Sequence, residues 1–137
     1  MKVSPIDFFR GLVLVWVFMF AFACKTPESK CTREQLCYVD SIQVVDTLKL
    51  GQTATLKFLV GIGNGCGRFD KLEINNDTTA MQYEVFSYAY FEGCVCTEIY
   101  SMIWQTTQFT PNKIGRYTLK FYQPDNTQKI RYLQVVQ

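Results

Sequence analysis

The chain has 137 residues and a formal net charge of +2, from 14 Lys and Arg against 12 Asp and Glu. A balance that close to zero gives no electrostatic footprint for nucleic acid or for an anionic membrane surface. There is no histidine, which removes Ser-His-Asp and Cys-His nucleophiles, His-ligated zinc and the commonest general base at neutral pH. The expectation is a chain without a catalytic residue, metal or cofactor.

The N-terminus divides as a signal peptide does. Lys2 and Arg10 bracket a short start in which Asp7 is the only acid, and residues 11–23 are uncharged and mostly Leu, Val, Phe, Trp and Met. As a helix that run would span only about 20 Å, short of the roughly 30 Å hydrocarbon core, so it reads as an export signal and not as a permanent span. Ala21-Phe22-Ala23-Cys24 resembles a bacterial lipobox, with Ala21 where Leu is usual. It also satisfies the small-x-small rule for ordinary secretory cleavage after Ala23. Lipidation of Cys24 is the preferred reading and simple secretion the alternative. Removing 23 of 137 residues leaves 114, enough for one domain. The expected division is a lipoprotein signal peptide over 1–23, a polar tether over 24–37 and one domain over 38–137.

Six cysteines, Cys24, Cys31, Cys37, Cys66, Cys94 and Cys96, read in an exported chain as disulfides. Lipidation of Cys24 leaves an odd five. The preferred pairing is Cys66 with Cys96, and Cys31 with either Cys37 or Cys94. The competing reading takes Cys94-Val95-Cys96 as a thiol pair for redox work or a soft metal, since residues i and i+2 of a strand share a face. Against it, no C-x-x-C and no second pair at metal-site spacing is present.

From Tyr38 onward the apolar period is two. Ile42 and Val44 alternate with polar residues, and a turn follows near Leu50-Gly51-Gln52. The clearest strand is 52–62, with Ala54, Leu56, Phe58, Val60 and Ile62 facing one way. A loop at 61–67 holds four glycines and Cys66 and lacks the pattern of a phosphate-binding loop. Leu72 and Ile74 make a short strand. Residues 79–91 make a long one, with Met81, Tyr83, Val85 and Ala89 on one face and Phe86, Tyr88 and Tyr90 on the other. Strands at 98–109, around Tyr117, Leu119 and Phe121, and at 128–136 complete the set. About seven strands in roughly 100 residues predict an all-β, immunoglobulin-like, two-sheet antiparallel sandwich. Gly115-Arg116-Tyr117 fits either a tyrosine corner or a plain core aromatic.

Taken together, Cys24 after its lipobox-like leader, Gly65-Cys66-Gly67-Arg68-Phe69 with Cys96-Thr97, and Phe109-Thr110-Pro111…Gly115-Arg116-Tyr117 form a pattern. It resembles small, mostly uncharacterised lipoproteins of Bacteroidetes-type bacteria built as single immunoglobulin-like domains. The resemblance covers most of residues 51–136. It implies that Cys66 pairs with Cys96 and that no catalytic site is expected; the extra Cys31, Cys37 and Cys94 depart from its simplest form.

The functional expectation is a non-catalytic binding or structural module of the cell envelope, held by a lipid anchor, with an outer-membrane location expected and secretion as the alternative. A candidate contact face is aromatic, built of Phe86, Tyr88 and Tyr90 and extended by Tyr100 and Trp104, and suited to an envelope protein or a glycan. A secreted or anchored protease inhibitor working through the loops at 63–69 or 91–97 is a second class. An enzyme built on two carboxylates is a third, disfavoured because no spacing brings two acids together.

Overall fold

A strand whose side chains alternate apolar and polar has one face to bury. Nine strands, most of them so patterned, are packed together in the computed structural model, which describes residues 31–137. The expected signal peptide, Cys24 and the first part of the expected tether lie outside the described residues. In chain order the strands are β1 (Thr32–Leu36), β2 (Tyr38–Gln43), β3 (Thr47–Lys49), β4 (Ala54–Ile62), β5 (Gly67–Asp77), β6 (Gln82–Glu92), β7 (Ser101–Phe109), β8 (Gly115–Tyr122) and β9 (Gln128–Val136).

They form two sheets. The smaller runs β2-β4-β7, and the larger runs β1-β6-β8-β9-β3 with β5 on the other edge of β6. This is an all-β, immunoglobulin-like sandwich with no helix among the described residues. The count is nine strands where about seven are expected, and the pairing is mixed. β6 runs parallel to β8, and β3 runs parallel to β9. The additional strands carry little periodic signal: β3 has three residues, and β1 (Thr-Arg-Glu-Gln-Leu) has no apolar alternation.

The core lies between the sheets. From the small sheet come Val39 and Ile42 of β2 and Ala54, Leu56, Phe58, Val60 and Ile62 of β4. The large sheet answers with Tyr83, Val85, Ala89 and Phe91 of β6, Tyr117, Leu119 and Phe121 of β8, and Leu133 and Val135 of β9, all buried. Aromatic edges lock the layers. Phe58 meets Phe121 at 5.2 Å between ring centroids, and Phe109 meets both Tyr83 and Tyr117 at 4.9 and 5.1 Å. Tyr83 Oη also donates across the gap to the Gln108 carbonyl at 3.1 Å.

Tyr117 satisfies both readings of its position. Its ring is buried, while its hydroxyl donates to Asn112 Oδ1 at 3.1 Å and accepts from the Lys113 amide at 3.2 Å. That is a tyrosine corner folding the approach to β8 back on itself.

Strand pairing already includes residues ahead of Tyr38. Residues 32–36, placed in the tether by composition, form β1 along the end of β6, with Thr32 opposite Glu92 and Leu36 opposite Tyr88. A polar strand holds there because backbone pairing and a disulfide at Cys31 supply what apolar burial does not. The chain then crosses between sheets at Cys37, whose amide donates to the Ser87 carbonyl at 2.7 Å and whose side chain is buried.

Candidate functional site: an apolar outer face and a stapled end

The five described cysteines resolve into two bridges and one thiol. Cys66 joins Cys96 with Cα atoms 5.4 Å apart, and Cys31 joins Cys94 at 4.9 Å. Of the two partners left open for Cys31 the structure thus selects Cys94. Cys37 is a free buried thiol, and burial pushes its pKa up to about 11. Cys94 and Cys96 are each committed to a different partner, so no Cys94–Cys96 dithiol exists here. Among the described residues no group of three or more Cys, Asp or Glu is placed to hold a metal.

The segment from Gly93 to Cys96 therefore ties the start of β1 and the start of β5 to one point. The Asn64 side chain sets the turn by accepting from the Cys66 amide at 3.1 Å. Gly93 is required twice over. Its φ is +139°, and a Cβ there would lie 2.9 Å from Cys66 Sγ. Beside the bridges opens a cleft of about 360 Å³ lined in part by Arg33, Asn64 and Phe91. The Arg33 guanidinium lies over the Phe91 ring, 4.9 Å from its centroid.

The aromatic face expected from sequence is split between the two sides of the sandwich. Phe86, Tyr88 and Tyr90 do share the outer face of the large sheet, but they are half-buried under charged neighbours. Lys71 lies over Tyr88 at 5.0 Å and Arg68 over Tyr90 at 4.9 Å. Lys71 in turn pairs with Glu73 at 2.9 Å and Glu34 at 3.3 Å, and Arg68 pairs with Glu92 at 3.4 Å. Phe86 stacks on Tyr122 at 4.3 Å, and Tyr122 donates to Glu84 Oε1 at 2.9 Å. That bond, then one from Asn75, holds the Glu84 carboxyl below the usual carboxylate range. These rings support a charged surface and do not form a bare platform.

Trp104 and Tyr100 belong to the opposite side. β7 pairs with β4, not with β6, so Trp104 faces out from the small sheet. The register places Tyr38, Gly61 and Met102 in one row across β2, β4 and β7, and Ser41, Leu59 and Trp104 in the next. Tyr100, just ahead of β7, lies over Gly61, which leaves it room by having no side chain. Tyr38, Tyr100, Met102 and Trp104 are 42–52% exposed, an unusual concentration of large apolar surface. Lys57 lies over the Trp104 ring at 4.6 Å. Partial burial, with Asp40 nearby, raises the Tyr100 hydroxyl above its ordinary pKa.

Tyr38 and Met102 are the members that the sequence reading missed. Tyr38 marks the start of the alternating region, and Met102 alternates with Ile103 ahead of Trp104, but neither fact reveals that they become neighbours. Compared with protein-family profiles, curated proteins and solved structures, the chain matches none.

Proposed function

We propose that the mature chain is a non-catalytic recognition module of the bacterial cell envelope. It is anchored by lipid on Cys24 and holds a partner protein against the outer face of its three-stranded sheet. The observation that carries this reading is the exposed cluster of Tyr38, Tyr100, Met102 and Trp104, with half-buried Leu59 among them, on the outer face of the three-stranded sheet. Tyr, Trp and Met are the residue types enriched at the centres of protein interfaces, with charge kept to the rim. Here the nearby charges are Lys57 and Asp40. Support for the anchor comes from the short apolar leader, the Ala-Phe-Ala-Cys sequence and the polar residues behind it. The absence of histidine supports a role without catalysis.

The test is capture from an envelope extract by the disulfide-intact domain, run beside Trp104→Ala/Met102→Ala and beside Tyr88→Ala on the other face. Supporting the reading would be a protein held by the parent and by Tyr88→Ala but lost with the double variant. Equal capture by all three, or retention on purified envelope polysaccharide in place of protein, would overturn the assigned face or the assigned partner class. Release of Cys24→Ser from the membrane fraction checks the anchor separately.

A further inference from the structure

A sheet edge exposes unpaired N–H and C=O groups, and folded proteins blunt such edges with short strands, charges, bulges or proline. Among the described residues, four of the five outermost strands do so. β3 has three residues and ends in Lys49, and β1 has five residues that include Arg33 and Glu34. β5 carries Arg68, Asp70, Lys71, Glu73 and Asp77 and a bulge between Phe69 and Lys71. β2 carries Asp40 and a bulge between Val39 and Ser41, and Lys129 Nζ caps the Asp40 carbonyl.

β7 does none of these things. It is nine residues long, Ser-Met-Ile-Trp-Gln-Thr-Thr-Gln-Phe, without a charge, a glycine, a proline or a bulge against β4. Met102, Ile103 and Trp104 are three consecutive exposed apolar residues on it, so both faces of the strand are left short of cover. Among the described residues β4 is its only sheet neighbour.

We infer that the β7 edge pairs antiparallel with β7 of a second copy of this chain, joining two three-stranded sheets into one of six strands. The strand is suited to itself. An antiparallel pair of identical strands has a two-fold axis, so one interface serves both copies and closes the assembly at a dimer. Centring the axis on Gln105, the midpoint of β7, pairs the strand along its whole length. Gln105 then faces Gln105, Trp104 faces Thr106 and Ile103 faces Thr107, with no charge opposed to a like charge. The pairing also covers Ile103 and makes the two apolar outer faces continuous. This inference rests on the edge and not on the recognition reading, and each survives failure of the other.

The test is crosslinking in cells that export the full chain. Gln105→Cys on β7 and Gln43→Cys on the β2 edge are oxidised in parallel and run on non-reducing gels. Residues facing each other across an antiparallel pair have Cα atoms about 4.5–5.5 Å apart, within disulfide reach. The expected result is a linked dimer with Gln105→Cys, none with Gln43→Cys, and loss of the dimer when Thr106→Lys is added to Gln105→Cys. Peptide mapping of the Cys31–Cys94 and Cys66–Cys96 bridges confirms that each variant is folded. A Gln105→Cys chain that stays monomeric while its new thiol is open to alkylation overturns the inference. Equal crosslinking at position 43 overturns it as well.

Discussion

The hydroxyl of Tyr100 occupies the space that a side chain at position 61 would fill, so Gly61 and Tyr100 share one place on the outer surface. The obstructing atom is the far end of a side chain and not backbone. Gly61→Ala is therefore expected to swing Tyr100 aside and leave the fold intact, with a stability change of about 1 kcal/mol or less. Partner capture should fall with it. Denaturant unfolding read beside the capture assay separates the two effects, and a cooperative loss of several kcal/mol would show that Tyr100 is structural.

Cys37 gives the domain an alkaline sensitivity of known sign. Its folded pKa is raised from 9.0 to about 11 by burial, so the thiol stays protonated in the fold while the unfolded chain ionises. Its contribution is complete below pH 9 and is lost as pH rises from about 9 to about 11. The loss amounts to roughly 2–3 kcal/mol. Unfolding free energies across that range should fall more steeply for the parent than for Cys37→Ala. Native protein should resist alkylation at neutral pH, and unfolded protein should take up one label per chain at Cys37.

Replacing Cys66 and Cys96 together by Ala opens a loop with a sequence separation of 30. The expected cost is about 2–5 kcal/mol, with Cys31–Cys94 still formed. Thermal unfolding and non-reducing peptide mapping check both parts. A double variant as stable as the parent would mean that strand pairing alone fixes that end.

Ser87 is fully buried on the core face of β6, and its hydroxyl has no hydrogen-bond partner among the described residues. A buried hydroxyl left unpaired costs more than the methyl group that would replace it. Ser87→Ala is expected to raise stability by about 1 kcal/mol in denaturant unfolding. A fall of that size would reveal a partner for the hydroxyl.

The parts of this molecule legible in its sequence are those written in alternation. Leu56, Phe58 and Val60 of β4 and Tyr117, Leu119 and Phe121 of β8 announce both strand and inward face, and all are buried. β1 was hidden because its stability comes from pairing with β6 and from the Cys31 bridge, neither of which leaves an apolar trace. The aromatic face was half legible for a related reason. Period two says that Phe86, Tyr88 and Tyr90 share a face, but not that β7 lies on β4 instead of beside β6. Strand neighbours are set by long-range topology, so periodicity alone cannot separate Trp104 from rings that lie on the opposite side of the sandwich.

The two bridges also decide how the molecule bears load. Tension entering the chain ahead of Cys31 crosses to Cys94 through the disulfide and continues along residues 94–104 to Trp104. The whole stretch from β1 through β6 lies off that line, and Cys66–Cys96 pins the same segment to the start of β5. A pull between the N-terminal end and the outer face of β7 therefore runs through a short covalent strut, and the hydrophobic core is spared the strain.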